Sequence, residues 1–275
     1  HSNTRVSAVQ FDKKLEVKQT LTGELLSGLP QALENGEFKL YLQPKFSPKD
    51  LSVIGAEALT RWIKPDGTVV YPDQFIPILE STGRIVELDL YIFEQVVQFL
   101  QRNAQAGHRL LPIAVNASVA LAREDAPTQE YSEILEKHNI SARMLEIELT
   151  ETAVVSEYDR VKRLLSSFQS DGMQTSLDDF GAGSSLLNNI VDIPVNTIKL
   201  DKLFLTRCSS NARGTDFLRE VVHLVKRLGY NVICEGIETE EQVQLLRSLD
   251  CDGAQGFWFS KAISAEEFEW RYLCD

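Results

Sequence analysis

From residue 38 onward, the chain alternates short apolar runs with longer amphipathic stretches. Eight of the short runs are rich in apolar or β-branched side chains, which is typical of buried strands. They cover Phe38–Gln43, Val53–Leu59, Leu111–Asn116, Met144–Leu149, Thr175–Asp178, Thr197–Leu200, Asn231–Cys234 and Gly253–Phe257. The longer stretches have helical spacing and include Ile85–Asn103, Tyr158–Ser170, Phe217–Leu228 and Glu240–Asp250. Two helix starts carry a capping-box pattern, Thr239 with Gln242 and Ser264 with Glu267.

This alternation predicts the class of fold. Parallel strands need a crossover helix between them, so eight strands alternating with helices predict a (β/α)8 barrel. The first two strands are different, because the short segment between them contains Pro44, Pro48 and Asp50 and predicts a hairpin. We therefore predict an α/β fold, a modified TIM (β/α)8 barrel with one antiparallel strand near the N-terminus. A doubly wound open sheet is the alternative, although no G-x-G-x-x-G follows the first strand.

The segment before the first strand predicts a separate helix. Leucines between Phe11 and Asn35 have loosely helical spacing, and we expect Gly28-Leu29-Pro30 to interrupt the helix. The chain begins at His1 and has no signal-peptide pattern. We expect residues 1–24 to be a linker helix or a vector-derived segment, and residues 25–275 to form the barrel domain of a larger parent protein.

Charge and composition narrow the class of ligand. The 275-residue chain has 28 Lys and Arg against 40 Asp and Glu, a net charge of −12. We therefore expect neither a nucleic-acid polymer nor a membrane as a partner of this fragment. No apolar run approaches the roughly 18 residues of a membrane span. The four cysteines include no C-x-x-C pair, which favours free thiols and a cytoplasmic location, although the parent protein could be membrane-anchored.

Polar residues end nearly all the predicted strands. They are Gln43, Glu57, Asn116, Glu148, Asp178, Asp179, Lys199, Asp201, Glu235 and Gln255. In a barrel these ends converge on one face, although any single one could be a turn former. Converging carboxylates repel one another unless a cation neutralises them, and oxygen ligands without His or Cys select hard ions. The pattern predicts Mg²⁺ or Mn²⁺, with Ca²⁺ as a possible occupant.

Two features suggest phosphoryl chemistry. Adjacent Asp178 and Asp179 could bridge two ions, the arrangement that activates water and stabilises a developing oxyanion, and a Gly-flexible loop follows them. Lys199 is either paired to Asp201, or is oriented by Asp201 toward a phosphate or the attacking water. Arg61 could reach a ligand phosphate or form a surface ion pair.

A set of ordered motifs at these strand ends resembles one known family. The motifs are Tyr41-Leu42-Gln43-Pro44, Glu57-Ala58-Leu59, Val115-Asn116-Ala117-Ser118, Glu148-Leu149-Thr150-Glu151, Asp178-Asp179-Phe180-Gly181, Lys199-Leu200-Asp201, Glu235-Gly236-Ile237-Glu238 and Gln255-Gly256-Phe257. Over roughly residues 25–273 the chain resembles the EAL-domain family of cyclic di-GMP phosphodiesterases. The resemblance implies hydrolysis of cyclic di-GMP to linear pGpG with two Mg²⁺ or Mn²⁺ ions, Ca²⁺ being an inhibitory occupant.

The resemblance also implies individual roles. The first metal would be held by Glu57, Asn116, Glu148 and Asp178, and the second by Asp178, Asp179 and Glu235. Glu235 or Lys199 would be the general base, with Glu57 also in the catalytic set and Gln255 helping to position the water. Substrate contacts would come from Gln43, Arg61, Asp201, Glu238 and Gln255, while Glu151 would brace the loop after Asp179.

The family further implies a homodimer and an additional sensory or diguanylate-cyclase-type domain in the parent. The chain departs from the common family pattern at Ala117, Ser184, Leu186 and Ala262. Two other functions are weighed: a weakly active or inactive cyclic di-GMP receptor or protein-interaction module, and an unrelated barrel enzyme acting on another phosphate ester. The first predicts binding without turnover, and the second predicts hydrolysis of a simple monoester.

Overall fold

The strands lie where the apolar runs predict them. A computed structural model describes residues 20–23, 25–123, 128–182 and 190–274. The strands are β1 (Phe38–Phe46), β2 (Val53–Ile63), β3 (Val69–Val70), β4 (Ile113–Asn116), β5 (Leu145–Thr150), β6 (Gln174–Phe180), β7 (Thr197–Leu200), β8 (Asn231–Cys234), β9 (Gly253–Ala254) and β10 (Ile263–Ser264). All eight predicted strands are present, although β9 is shorter than its apolar run.

Eight of these strands close into a barrel. The ring runs β1, β9, β8, β7, β6, β5, β4 and β2, and the pairing of β1 with β2 closes it. Strands β2 and β4 to β9 run parallel, whereas β1 is antiparallel to both of its ring neighbours. The modified TIM barrel with one antiparallel strand near the N-terminus is therefore confirmed, and the closed ring excludes the doubly wound open sheet.

Helices cover the outside of the barrel. They are α1 (residues 20–23 and 25–34), α2 (Pro72–Ser81), α3 (Ile85–Ala106), α4 (Gln129–His138), α5 (Glu151–Ser156), α6 (Tyr158–Ser170), α7 (Lys202–Ser209), α8 (Ala212–Arg227), α9 (Glu240–Ser248) and α10 (Ala265–Tyr272). Short 3₁₀ helices lie at Val119–Arg123 and Ala142–Met144. Thr239 begins α9 with the predicted capping box, and Ser264 caps α10. Among the described helices, none combines the length and the apolar character needed to cross a membrane.

The predicted interruption of the first helix is wrong. Residues 25–34 are continuously helical, although they contain Gly28, Leu29 and Pro30. Proline has no N–H and leaves the carbonyl four residues earlier without its helical donor. That carbonyl belongs to Leu26, and it accepts a hydrogen bond of 2.9 Å from the Arg84 guanidinium. Residues 1–19 and 24, most of the predicted linker segment, lie outside the described residues.

Candidate functional site

Strand alternation divides the barrel residues between two faces. Along β5, Leu145, Ile147 and Leu149 are buried in the hydrophobic core, whereas Glu146 and Glu148 share the other face and meet lysine side chains inside the barrel. Successive side chains of a strand point to opposite sides, so residues two apart share a face. Acidic residues from β2, β6 and the end of β8 also reach the interior.

The centre of the site is the fully buried ammonium of Lys199 on β7. Its Nζ lies 2.6 Å from Glu235, 2.7 Å from Glu148, 3.2 Å from Asp178 and 3.3 Å from Glu57. These four carboxylates come from β2, β5, β6 and the end of β8. The structure thus brings together residues that are spread over almost 180 positions of the sequence.

Negative charge exceeds positive charge around this lysine. Burial alone would lower the pKa of Lys199, but the surrounding carboxylates raise it well above its usual range, so the side chain is charged. Burial raises the pKa of Asp178 to about 8 and that of Glu235 to about 7, with neighbouring carboxylates adding to the effect of burial. One ammonium therefore does not neutralise the carboxylates that meet here.

A local irregularity lets Asp178 and Asp179 serve the same site. In a regular strand two adjacent side chains point to opposite faces. Between β6 and β7, Leu177 pairs with Ile198 but Phe180 pairs with Leu200, so β6 has one extra residue at this point. Asp179 adopts a left-handed backbone (φ 57°), and its N–H donates to Asp178 Oδ1 at 2.8 Å.

An amide network extends the cluster along β1, β4 and the end of β9. Gln255 Nε2 donates to Glu57 Oε2 at 2.7 Å and to Gln43 Oε1 at 2.9 Å. Asn116 Nδ2 donates to Glu57 Oε1 at 3.1 Å, and Gln43 Nε2 donates to the Ser260 carbonyl. The Oε1 atom of Gln255 is buried and has no protein donor among the described residues. Such an atom is normally satisfied by water or a ligand.

The rim of the site carries cationic and aromatic groups. The Arg61 guanidinium lies 5.6 Å from the ring centres of both Tyr41 and Tyr71, and it also donates to the Thr60 carbonyl. After β8, Glu238 forms an exposed ion pair of 2.6 Å with Lys202. Arginine held between two rings is positioned at little entropic cost when it meets a ligand.

A small cavity opens beside the cluster. It has a volume of about 140 Å³ and is lined by Gln43, Lys202, Glu235, Gly236, Glu238, Gln255, Gly256 and Phe257. This is less than the roughly 300 Å³ at the lower end of small-molecule pockets, so a dinucleotide would also lie across the rim. A larger concavity of about 630 Å³ lies between β1, α3 and α10 and contains no member of the acidic cluster.

Two predicted residues have structural partners. Asp201 begins α7 and accepts hydrogen bonds from the backbone N–H groups of Leu203 and Phe204. Among the described residues the ion pairs of Lys199 do not include Asp201, so the simple Lys199–Asp201 pair, one of the two alternatives, is not observed. Glu151 accepts a 2.9 Å hydrogen bond from the Gly181 N–H, which ties the start of α5 to the segment after β6. Ser184 and Leu186 lie outside the described residues.

The donor set fits hard divalent cations. Glu57, Glu148 and Asp178 each offer an oxygen, and these atoms lie within 4.8 Å of one another. Asp178, Asp179 and Glu235 form a second group that meets the same limit. Carboxylate oxygens without imidazole or thiolate suit Mg²⁺ and Mn²⁺. The excess negative charge and the unpartnered Gln255 oxygen agree with this fit.

The sequence reasoning missed one charged residue of the interior. Lys45 on β1 is 3% exposed, and its Nζ lies 2.8 Å from Glu148 Oε1 and 3.1 Å from Glu146 Oε2. The strand-end pattern does not include Lys45, because it lies two positions beyond Gln43 on the same strand. The signal lay in period-two spacing, because Lys45 follows Gln43 by two positions and Glu146 precedes Glu148 by two.

Comparison with known proteins indicates the family of the chain. The sequence profile described as the EAL domain matches residues 27–262. The signaling protein YkoW of Bacillus subtilis is 33% identical over 88% of this chain, and the cyclic di-GMP phosphodiesterase RocR of Pseudomonas aeruginosa is 30% identical over 96%. This chain spans 30% of the length of YkoW and 67% of that of RocR.

A solved structure agrees with the family match. The structure of the PaMucR phosphodiesterase in a c-di-GMP complex superimposes with a TM-score of 0.81 at 30% sequence identity. The match covers 89% of this chain and 99% of that one. The profile match covers most of the chain, and the barrel matches a solved phosphodiesterase. The chain therefore belongs to the EAL domain family.

Proposed function

We propose that this domain hydrolyses cyclic di-GMP to linear pGpG with two divalent ions, Mg²⁺ or Mn²⁺. The observation that carries the proposal is the pair of carboxylate triads that share Asp178. Relatives in this family are named cyclic di-GMP phosphodiesterases, and a matching structure is a c-di-GMP complex. All the residues that the resemblance assigns to metal binding are present in this chain.

In this proposal the acidic cluster holds both ions. Glu57, Glu148 and Asp178 hold the first ion together with Asn116, which already donates to Glu57. Asp178, Asp179 and Glu235 hold the second. Bound divalent ions would polarise the scissile phosphodiester and make the attacking water more acidic. Ca²⁺ would occupy the same oxygens without supporting turnover.

Glu235 is the better candidate for the general base. It lines the cavity beside the cluster, whereas Lys199 does not. Lys199 is fully buried and its pKa is raised well above its usual range, so it keeps its proton. We assign proton acceptance from water to Glu235, and assign Lys199 to positioning the carboxylates. Water oxygen bonds to phosphorus, the P–O3′ bond breaks, and the 3′ oxygen takes up a proton.

The rim residues would hold the dinucleotide. Arg61 would contact a phosphate, since its guanidinium is fixed between two tyrosine rings. Gln43, Gln255 and Glu238 line the cavity and offer amide and carboxylate groups to the substrate. Asp201 lies close enough to Asp179 to raise that residue's pKa, although burial is the larger cause. Its bonds to α7 make it a support of the rim in this proposal.

The test is turnover by the purified domain. Cyclic di-GMP is incubated with Mn²⁺ or Mg²⁺ and the products are separated by liquid chromatography with mass detection. We expect pGpG from the native chain and from Glu220→Ala, an exposed surface control, and no product from Glu57→Ala. A folded native sample that gives no pGpG with either ion refutes the proposal. Calorimetric binding without turnover would indicate a receptor, and hydrolysis of a simple monoester would indicate an unrelated phosphatase.

The proposal also covers the parent protein, the oligomeric state and the cellular location of the domain. Because the chain spans 30% of YkoW and 35% of NbdA, we propose that a sensory or diguanylate-cyclase-type domain accompanies it in a parent protein. Residues 1–24 would be the linker or vector-derived segment and residues 25–275 the catalytic barrel. We further propose a homodimer, in which Glu151 braces the loop after Asp179, and a cytoplasmic location.

A further inference from the structure

Lys45 crosses the interior of the barrel from β1 to β5. Strands β2 and β4 stand between these two strands on that side of the ring. Even so, the Lys45 ammonium lies 2.8 Å from Glu148 and 3.1 Å from Glu146. A lysine that is 3% exposed loses most of its hydration, so its buried ion pairs must be well formed to be tolerated.

Two small residues lie on the intervening strands. Gly55 on β2 pairs with Lys45, and Ala114 on β4 pairs with Glu146. Both lie at even spacing from Glu57 and Asn116, so they share the interior face with those residues. The sequence therefore supplies a cation and its two carboxylate partners on the interior face of the barrel.

The two buried lysines hold different oxygens of Glu148. Lys199 Nζ lies 2.7 Å from Oε2, whereas Lys45 Nζ lies 2.8 Å from Oε1. Lys199 also contacts three other carboxylates of the cluster. The recorded ion pairs of Lys45, in the part of the chain that the structure describes, are with Glu146 and Glu148. Lys199 thus competes for the oxygens that a metal would use, and Lys45 does not.

We propose that Lys45 is a positioning residue for the metal ligand Glu148: it holds Oε1 in place so that Oε2 is presented to the first ion. Glu146 anchors the lysine on its other side. Partners that hold a metal ligand in place contribute about 10–100-fold to metal affinity. The inference rests on the proposed function for the identity of the ligand, but it concerns ion binding and does not require turnover.

Mn²⁺ affinity of the purified domain tests this role without substrate. Free Mn²⁺ is measured by electron paramagnetic resonance during titration of the native chain, Lys45→Met and Lys45→Arg. The matched control is Lys49→Met, because Lys49 is an exposed lysine of the same hairpin and pairs with Asp250. We expect Lys45→Met to weaken Mn²⁺ binding about 10–100-fold, Lys45→Arg to restore part of the loss, and Lys49→Met to bind as the native chain does.

The opposite result has a clear physical meaning. If Lys45 acted only as a nearby positive charge, its removal would make the site more negative and Mn²⁺ would bind more tightly. Unchanged or tighter binding in Lys45→Met overturns the proposal, as does native protein that binds no Mn²⁺. Native protein that binds Mn²⁺ but gives no pGpG overturns only the proposed function.

A second variant covers the case in which Lys45→Met does not fold. Lys45→Met with Glu146→Gln removes one cation and one anion together and leaves Glu148 paired with Lys199. We expect the same weakening of Mn²⁺ binding, about 10–100-fold, and native affinity in this double variant would overturn the proposal. In active protein, the Mn²⁺ concentration at half-maximal rate should rise while kcat at saturating Mn²⁺ stays within about 3-fold of native.

Discussion

Replacing Lys199 by methionine should make the protein less stable in the absence of metal and should increase the stabilisation that divalent ions provide. The ammonium is fully buried and lies 2.6–3.3 Å from four carboxylates. Removing one partner of a buried ion pair costs about 3–5 kcal/mol, because the remaining charges are left uncompensated. For a chain of this size 1 kcal/mol corresponds to about 2–4 °C in Tm. We therefore expect Lys199→Met to lower Tm by about 10 °C in EDTA.

Divalent ions should reverse much of this loss. A ligand present at 100 times its Kd stabilises the folded state by about 2.7 kcal/mol. Lys199 occupies the same carboxylates as the ions would, so its removal takes away a competing charge. We expect Mn²⁺ to raise the Tm of Lys199→Met by more degrees than that of the native chain, although the variant should have lost activity.

Differential scanning calorimetry in EDTA and in a Mn²⁺ series measures both effects. Lys137→Met is the control, since Lys137 is exposed and forms a surface ion pair with Glu94. Such pairs contribute about 0–1 kcal/mol, so its Tm should change little in either buffer. The reasoning is refuted if Lys199→Met is as stable as the native chain in EDTA. It is also refuted if Mn²⁺ raises the Tm of Lys199→Met no more than it raises that of the native chain.

Three further outcomes are expected. Burial raises the pKa of Asp89 to about 7, above its unfolded value, so its stabilising contribution is present in acid and is lost as the pH rises through 7. In thermal melts in EDTA, Asp89→Asn should therefore have a higher Tm than the native chain above pH 7 and the same Tm near pH 4. An equal difference in Tm at every pH would contradict this. Gly236→Ala places a Cβ against that of Lys202 at φ +65°, so urea unfolding should show a loss of about 1–3 kcal/mol, whereas native stability would argue against the backbone geometry. Arg61→Ala should raise KM for cyclic di-GMP by about 10–100-fold with kcat nearly unchanged, and a fall in kcat alone would place Arg61 in the chemical step instead.

The barrel could be predicted because its strands are locally encoded. Seven of the eight predicted strands begin within one residue of the observed starts, and the hairpin between β1 and β2 follows from its proline content. The first helix could not be predicted in this way. Its continuation through Pro30 depends on Arg84, which is more than fifty residues away and donates to the exposed Leu26 carbonyl. Such a tertiary contact has no local signature.

The site shows the same division between local and long-range information. Strand-ending carboxylates were predicted to converge, and four of them meet at Lys199. The bulge at Asp178 and Asp179 was not foreseen, since it depends on the register with β7. The N-cap role of Asp201 was also not predicted, because an aspartate before a helix can either cap that helix or pair with a nearby lysine.

The central claim is that the carboxylates around Lys199 form a two-ion centre. Anomalous diffraction from crystals soaked with Mn²⁺ and cyclic di-GMP tests it most directly. We predict two manganese peaks, one among Glu57, Glu148 and Asp178 and one among Asp178, Asp179 and Glu235, with no comparable peak elsewhere. A saturated crystal that shows no manganese within this cluster, or shows it bound elsewhere on the chain, would contradict the account.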